Sequence, residues 1–399
     1  MNFDSDSFSS GDYGMVDTAG EYPLNNNFLP KTFGGSSVDT KMENISFDYE
    51  VIVNAEVKQQ LLGPILTIFL PTIYVIVFIF GLPANCLALW MLTRHVRPKK
   101  PSTIYMINLA VADLLFVLLL PLKISYHFNG NNWAFGRFTC HLTVTSFYGN
   151  MFCSIWLLTC ISVDRYIAIV YPMKSLQWRR NRFAIAACTC IWFAILISTT
   201  PLNLLNPIAH IKNMDISTCY DVFPVALIPK YLFFYFIFMA VCGFFIPLLL
   251  TIYSYVVIIK ALMKTYDTNE NRKRRTHSVN LAVTVLLTFA LCFIPSNVLL
   301  VVHYISSRVN ADNNGNLYTA YMVSLGLSSL NSCLDPFVYY FTSKECRRKL
   351  ALFLCSKKHA ASSQKSSQSA ATTNSTYSRS SNNSQKLLVD HSKVIPQNL

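Results

Sequence analysis

Charged residues are scarce in this sequence: Asp, Glu, Lys and Arg make up 13% of its 399 residues, against 52% hydrophobic residues. Soluble domains carry about 25% charged residues, so this composition excludes an ordinary soluble protein of this length. The first 30 residues also lack a charged start followed by an apolar core. We therefore expect either a processed N-terminus or a first membrane span that acts as its own insertion signal.

Signatures of catalysis and of transport are missing as well. No nucleophile–base pair and no metal-ligand spacing stand out, which argues against an enzyme. The repeated halves with matching broken helices that are typical of a transporter are not apparent. The last apolar segment, 317–341, contains no lysine, which excludes a retinal Schiff base there. The remaining class is a membrane protein that binds something and signals.

Long apolar segments dominate what is present, and each is near or above the about 20 residues that cross a bilayer as a helix. They predict an all-α membrane protein, a seven-transmembrane helix bundle with a short amphipathic eighth helix and disordered termini. The seven predicted spans are 66–92, 103–126, 138–171, 183–203, 231–260, 280–303 and 317–341. The predicted domains are an extracellular arm over 1–64, the bundle over 65–341, the juxtamembrane helix over 342–355 and a cytosolic tail over 356–399.

The distribution of charge predicts the orientation of the spans. Residues 1–60 are acidic and have no helical or strand period, so we expect a flexible, exposed arm. Basic residues follow the first, third, fifth and seventh spans, and these segments are cytosolic by the positive-inside rule. This placement explains the net charge of +13 without nucleic acid. The basic residues are Arg94, Arg97, Lys99, Lys100, Lys174, Arg179, Arg180, Arg182, Lys260, Lys264, Arg272, Lys273, Arg274, Arg275, Lys344, Arg347, Arg348 and Lys349.

Cysteine positions give an independent test of this orientation. Of the 12 cysteines, only Cys140 and Cys219 fall at predicted extracellular positions. Disulfides persist in that oxidising compartment, so we expect these two to pair. Two free thiols are the alternative. Asn44 begins a glycosylation sequon, which has meaning only if the arm is extracellular.

Polar residues lie at mid-membrane depth in four of the predicted spans. Such residues are costly in lipid and therefore face a partner, a cavity or a pathway. If they converge, they form a hydrated polar cluster that holds a small cation such as Na⁺; the alternative is hydrogen bonding between helices. The residues of this polar cluster are Asn85, Asp113, Asn150, Ser154, Asn331, Ser332 and Asp335. Prolines that we expect to bend their helices are Pro121, Pro201, Pro247, Pro295 and Pro336.

One motif in each span carries a family resemblance. In order, these are Asn85, Leu-Ala-Val-Ala-Asp at 109–113, Asp-Arg-Tyr at 164–166, Trp192, Pro247 with Tyr255, Cys-Phe-Ile-Pro at 292–295 and Asp-Pro-Phe-Val-Tyr at 335–339. The set resembles the rhodopsin-like G-protein-coupled receptors over about 65–355. Two positions depart from the common pattern of that family: Phe293 stands where many members have Trp, and Asp335 where many have Asn.

Further strings are similar to protease-activated receptors, and most similar to the trypsin-responsive type. They include Leu-Lys-Ile-Ser-Tyr-His at 122–127, Gly-Asn-Asn-Trp at 130–133, Ser-Thr-Cys-Tyr-Asp-Val at 217–222 and Leu-Asn-Ser-Cys-Leu-Asp-Pro at 330–336. The resemblance implies a masked agonist within the N-terminal arm and a plasma-membrane location with the N-terminus outside. It also implies signalling through heterotrimeric G proteins, with Gq and calcium release.

The arm contains a candidate cleavage site. Leu29-Pro30-Lys31 suits a trypsin-like serine protease, because the Lys31 ammonium can pair with a carboxylate at the base of the specificity pocket. Cleavage would expose Thr32 with a new α-ammonium group, followed by Phe33, Gly34 and Gly35. These four residues are the predicted tethered ligand. Pro30 and the acidic-aromatic stretch 47–50 leave thrombin as the alternative protease, and a receptor for a free soluble peptide is the alternative function.

We expect the extracellular ends of the helices to receive the new N-terminus. Asp221 is the candidate partner of the Thr32 ammonium, and a solvated loop acid is its alternative interpretation. Phe33 is expected to contact Tyr126, His303, Tyr304 and Tyr321. A tether of about 30 residues keeps the ligand at an effective concentration of order millimolar, so weak intrinsic affinity is enough.

On the cytosolic face we expect a latch between Arg165 and Asp164 that opens when the sixth helix moves about Pro295. The predicted activation switch comprises Asp164, Arg165, Tyr166, Tyr255, Phe293, Pro295 and Tyr339. Beyond the bundle, Cys355 is the better palmitoylation candidate of the pair Cys346 and Cys355, which lie beside the inner leaflet of the bilayer. The Ser/Thr-rich tail predicts phosphorylation by receptor kinases and recruitment of arrestin.

Overall fold

The computed structural model describes residues 35–37, 49–53, 55–97, 99–204, 206–221, 233–264, 269–309 and 315–342. Helices dominate these residues, as the apolar spans predict. In chain order they are α1 (Ala55–Leu61), α2 (Leu70–Arg94), α3 (Pro101–Val117), α4 (Leu120–Phe128), α5 (Gly136–Val170), α6 (Pro172–Trp178), α7 (Asn181–Asn203), α8 (Phe233–Ala240), α9 (Ile246–Met263), α10 (Asn269–Thr288), α11 (Ile294–Val309), α12 (Gly315–Ser328) and α13 (Asn331–Thr342).

Six continuous helical stretches within the described ranges are long and apolar enough to cross a membrane. They are Lys58–Arg94, Pro101–Phe128, Gly136–Val170, Asn181–Asn203, Phe233–Met263 and Arg275–His303. The seventh predicted span is divided into α12 and α13, with Ser329 and Leu330 in a turn between them. Each half is shorter than the about 20 residues that a single spanning helix needs. Together these elements confirm the predicted seven-helix bundle.

Three short π-helical segments interrupt the long spans, each just before a proline. Segments π1 (Ile65–Phe69), π2 (Val241–Phe245) and π3 (Phe289–Phe293) precede Pro71, Pro247 and Pro295 respectively. Proline lacks the N–H that would bond the carbonyl four residues earlier, and in each case that carbonyl belongs to the π-helical segment. The widened turn therefore accommodates the lost bond. Pro121 instead follows the break between α3 and α4, while Pro201 and Pro336 lie inside α7 and α13.

A four-stranded sheet lies at the end of the bundle that carries Cys140 and Cys219. Its strands are β1 (Gly35–Ser37), β2 (Tyr49–Val53), β3 (Ile208–Ile211) and β4 (Ile216–Cys219), in the spatial order β1-β2-β3-β4. Strands β3 and β4 form an antiparallel hairpin, and β2 adds to it in parallel. The prediction of an arm without secondary structure is therefore wrong for β1, β2 and α1. The β-branched run Val51-Ile52-Val53 was the available signal for β2.

The buried core divides by depth. The inner part surrounds α5 and includes Leu109, Leu157, Tyr255 and Phe293, each at most 2% exposed. The outer part joins α1 and the first span to the hairpin and α12 through buried residues, namely Leu61, Leu70, Ala209, Ile211, Tyr318 and Tyr321. The hairpin therefore packs as part of the protein interior at the outer end of the bundle.

Close packing of α5 against π2 gives a stability prediction. A methyl group on Gly243 would lie 2.7 Å from two ring carbons of Phe152, whereas one on Gly149 would lie 3.5 Å from Ile195. Overpacking of this kind costs about 1–3 kcal/mol. We expect Gly243→Ala to lower the thermal unfolding temperature of the purified protein, while the control Gly149→Ala leaves it unchanged or raises it. Equal melting temperatures for the two variants would contradict this account.

Candidate functional site

The predicted disulfide is present and fixes the hairpin to α5. Cys140 and Cys219 are bonded, with their Cα atoms 5.8 Å apart, and both are buried. The other cysteines among the described residues are not in disulfides. Because Cys140 lies in the second turn of α5 and Cys219 ends β4, the bridge holds the residues that follow β4 at the outer end of the third span.

The loop between α4 and α5 holds the hairpin from a second side. The backbone N–H of Trp133 donates to the Ser217 carbonyl at 2.7 Å, and the Ser217 N–H donates to Asn132 Oδ1 at 3.0 Å. The Trp133 ring packs against Tyr126 and belongs to the small cluster around the disulfide. Asn131, with φ of 61°, donates from Nδ2 to the Leu61 carbonyl at 2.6 Å. This loop thus joins the hairpin to the end of α1.

Asp221 follows the hairpin and is buried, with 8% of its surface exposed. The Tyr126 hydroxyl donates to Oδ2, and the Tyr318 hydroxyl donates to Oδ1 at 3.4 Å. Burial raises the pKa of Asp221 above its ordinary value, and the nearby Lys123 ammonium opposes part of that rise. The interpretation of Asp221 as a solvated loop acid is therefore wrong. The carboxylate is an anion held among phenols at the outer end of the bundle.

Aromatic side chains surround this carboxylate. The His303 and Tyr321 rings stack with 6.1 Å between centroids, and the Tyr321 hydroxyl lies 3.1 Å from that of Tyr148. Tyr126, His303 and Tyr321 are all buried, so the structure brings three of the four predicted pocket aromatics to the same end of the bundle. The side chain of Tyr304 lies outside the described residues. An aromatic ligand residue such as Phe33 would therefore have to displace or separate rings that are already packed.

Sequence reasoning missed two residues of this site, Lys123 and Tyr318. Lys123 places Nζ 5.3 Å from the centroid of the Phe147 ring and acts on the Asp221 charge. A lysine inside an apolar span was the available signal, because an intramembrane cation normally has a functional partner. Tyr318 gave no such signal, since its contact with Asp221 depends on how α12 packs against the residues after β4.

The mid-membrane polar residues converge around Asp113. Asn150 Nδ2 and Ser332 Oγ each donate to Asp113 Oδ1 at 2.9 Å. The Tyr339 hydroxyl lies 3.4 Å from Asp113 Oδ2 and equally far from Asn85 Oδ1. Asn85 Nδ2 also donates to the Ser332 carbonyl at 2.8 Å. Asn331 donates to Ser154 Oγ at 3.1 Å, so the predicted residues from the first, second, third and seventh spans form one region.

Asp335 is the residue of this cluster that is left without a donor. Both of its carboxylate oxygens are buried and have no hydrogen-bond partner within the described residues. The neighbouring carboxyl of Asp113 is close enough to interact with it electrostatically. Two adjacent buried carboxyl groups need a proton or a cation between them. Carboxylate, amide and hydroxyl oxygens are ligands that suit a hard cation, so the residues fit the predicted Na⁺.

The predicted latch at the inner end of α5 needs correction. Asp164 pairs with Arg179 of the following loop, which donates from Nε to Oδ1 at 2.7 Å and from Nη2 to Oδ2 at 2.8 Å. Arg165 instead donates from Nη2 to Ser102 Oγ at the start of α3, at 2.9 Å. Successive residues on a helix point about 100° apart, so a cation on the loop reaches Asp164 more easily than its neighbour does.

The other predicted switch residues occupy different environments. Tyr255 and Phe293 are buried in the inner core, and Phe293 packs edge-on against Phe289 just before Pro295. Tyr339 belongs to the polar cluster through its hydroxyl. Tyr166 lies apart from these residues and packs against the rings of Tyr171 and Tyr253.

Several predicted sites lie outside the described residues. These are Lys31, Thr32, Phe33, Gly34, Asn44 and Cys355, together with the eighth helix and the tail. Gly35, the last residue of the predicted ligand, begins β1.

Comparisons with known proteins agree with this geometry. Residues 84–339 match the model of the 7 transmembrane receptor (rhodopsin family). The chain is 45% identical over 287 residues to proteinase-activated receptor 2 of Rattus norvegicus, covering 72% of each chain. It is 40% identical to proteinase-activated receptor 1 of Xenopus laevis, covering 77% of this chain and 71% of the relative. It is also 40% identical to a purinoceptor of Gallus gallus, purinoceptor 8, covering 74% of this chain and 83% of the relative.

The contacts of Asp221 give a graded prediction. A hydrogen bond to a buried charged group contributes about 1.5–3 kcal/mol, and losing a donor leaves the carboxylate less well solvated. We expect Tyr126→Phe to lower the melting temperature of the purified protein clearly. Tyr318→Phe removes the longer contact and should lower it less. A larger effect at Tyr318 than at Tyr126 would show that Asp221 is held differently.

Proposed function

Because the chain belongs to the rhodopsin family of seven-transmembrane receptors, we propose that it is a plasma-membrane receptor switched on by proteolytic cleavage of its own outer arm. The supporting comparisons are the two proteinase-activated receptors, each matched over more than two thirds of its length. The purinoceptor relative favours a free ligand as the alternative. The observation that carries the proposal is the buried Asp221 carboxylate among phenols, an acceptor suited to a new α-ammonium group.

A trypsin-like serine protease cleaves after Lys31 in this proposal and exposes Thr32-Phe33-Gly34-Gly35. The new ammonium replaces part of the hydration that Asp221 lacks and forms a charge-assisted hydrogen bond. Phe33 then contacts the rings of Tyr126, His303 and Tyr321. Thrombin is the second candidate protease, but Tyr49 and Glu50 of the acidic-aromatic stretch belong to β2, which reduces the part of that stretch free to bind an exosite.

The signal crosses the bilayer through the polar cluster. Tyr339 bonds Asp113 and Asn85 and sits on α13, so a shift of the seventh span at the pocket changes the cluster. Na⁺ held by Asp113, Ser154, Asn331, Ser332 and Asp335 supplies the charge that these carboxylates need. The inner ends of the helices then rearrange to admit a heterotrimeric G protein of the Gq type. Receptor kinases and arrestin act afterwards on the Ser/Thr-rich tail.

The cleavage step is tested in cells that express the protein with one epitope before Lys31 and another at the C-terminus. We expect trypsin to release the first epitope and to raise cytosolic calcium. Lys31→Ala should abolish both effects, because the protease pocket requires a cation. A synthetic Thr-Phe-Gly-Gly peptide should still activate the Lys31→Ala variant.

Controls separate the alternatives. Lys41→Ala removes another lysine of the arm and should leave the trypsin response unchanged. Equal calcium responses of wild type and Lys31→Ala would remove the tethered-ligand proposal and leave a free-peptide receptor. Release of the epitope by thrombin at lower concentrations than trypsin would exchange the order of the two proteases.

The Asp164–Arg179 pair predicts a change in basal signalling. This bidentate pair ties the inner end of α5 to the loop that begins with α6. We expect Arg179→Ala to raise ligand-independent G-protein signalling about twofold or more, and Arg179→Lys to have a smaller effect because lysine forms no planar fork. The control is Arg180→Ala at the neighbouring exposed position. Basal signalling that is equal in all three variants would show that the pair does not restrain the receptor.

A further inference from the structure

The pairing of β2 with β3 places a segment of the arm on the edge of the extracellular hairpin. We propose that this edge is a binding site for residues 49–53 of the arm, which stay docked before and after cleavage and shorten the tether of the new N-terminus. This inference rests on the proposed function and specifies how the arm presents its ligand. The occupant is a named segment of the same chain.

The register defines the contact. Tyr49, Glu50 and Val51 of β2 lie opposite Ala209, His210 and Ile211 of β3 in parallel. The other edge of β3 is occupied by β4, where His210 lies opposite Ser217. Addition of an extended segment to a free sheet edge gives affinity through main-chain hydrogen bonds and needs few side-chain contacts. The hairpin without β2 would expose such an edge of unpaired groups.

Both sides of the contact are held in place by other parts of the structure. The hairpin is fixed by the Cys140–Cys219 bridge and by the Trp133 loop. The arm is fixed just beyond β2, where α1 ends in Leu61, which is 1% exposed and accepts a hydrogen bond from Asn131. Only five residues of β2 must therefore become ordered next to a fixed point, which keeps the entropic cost of docking small.

Strand β1 extends the arrangement toward the cleavage site. It runs antiparallel to β2, with Gly35 opposite Val53 and Ser37 opposite Ile52. Thr32 precedes Gly35 by three residues, so the backbone limits its distance from the sheet to roughly 10 Å. The bond after Lys31 is thus kept at the edge of the sheet that covers the outer end of the bundle.

Docking changes the tether quantitatively. A ligand tethered from the first span is linked by about 33 residues, and one tethered from Tyr49 by about 17, which reduces the coil dimension from roughly 32 Å to roughly 23 Å. Effective concentration falls with about the −3/2 power of tether length, so docking raises it about threefold. Docking also directs the free end from the hairpin beside Asp221.

Paired cysteines test the contact directly in the full-length receptor. Glu50→Cys with His210→Cys joins register partners, whose Cα spacing across adjacent strands suits a disulfide. Glu50→Cys with Ser217→Cys is the control, because these positions are two strands apart and exceed the about 7 Å limit for a disulfide. We expect a linked peptide pair by mass spectrometry in the first variant alone, in both the intact and the trypsin-cleaved receptor.

Signalling by the linked receptor tests whether docking persists. We expect its calcium response to trypsin to match that of the Glu50→Cys and His210→Cys single variants. Absence of the link, or equal linking in the control, would overturn the docking site. A link that blocks the trypsin response but spares the response to Thr-Phe-Gly-Gly would show that the arm must leave the hairpin, which overturns persistence. If Lys31 were not the cleavage site, linking would be unaffected while epitope release failed, so the two proposals fail separately.

A proline in β2 tests the contribution of the shorter tether. Val51→Pro removes a main-chain donor from the middle of the strand, whereas Val51→Ala retains it. We expect Val51→Pro to raise the trypsin concentration for half-maximal response about threefold relative to Val51→Ala, with no change in the response to the free peptide. Equal trypsin potency would contradict the tether-shortening part of the proposal.

Discussion

The hairpin β3–β4 is the fixed point on which the outer half of this receptor depends. A covalent bond to α5 and backbone hydrogen bonds to the Trp133 loop hold it from two directions. Its inward-facing Ala209 and Ile211 are fully buried in the core of the bundle, so the hairpin cannot tilt without exposing apolar surface. Asp221 lies two residues beyond the bridge and takes its buried position from that constraint. Without it, the carboxylate would be an ordinary solvated loop charge.

The inner half depends on a different kind of constraint, the need to satisfy polar groups in an apolar environment. Asp113 is surrounded by donors from the third and seventh spans, and Asp335 remains buried without a donor among the residues that the structure describes. A cluster in this condition has two arrangements of similar energy, with and without a cation or proton, because removing either partner leaves a buried charge. Such bistability is what a switch requires. The Tyr339 hydroxyl joins this cluster to the span that also forms part of the ligand end.

Local signals account for what the sequence predicted well. Span positions follow from hydropathy, and the bridge follows from the compartment of two cysteines. The polar cluster follows from the cost of polar residues at mid-membrane depth. Partners that depend on tertiary placement were missed: Arg179 beside Asp164, Tyr318 beside Asp221, and the pairing of β2 with β3. Nothing in the local sequence of Arg179 distinguishes it from Arg180, because only the path of the loop selects between them.

The π-helical segments separate the helices into two rotational halves. Each extra residue in a turn advances the chain by about 100° relative to an uninterrupted helix. In the fifth and sixth spans, π2 and π3 lie between the end near the hairpin and the end near the cytosol. Side chains that face the ligand are therefore set in angular phase independently of those that face the transducer. Substitutions can reshape recognition on one side of the membrane while the coupling surface on the other keeps its register.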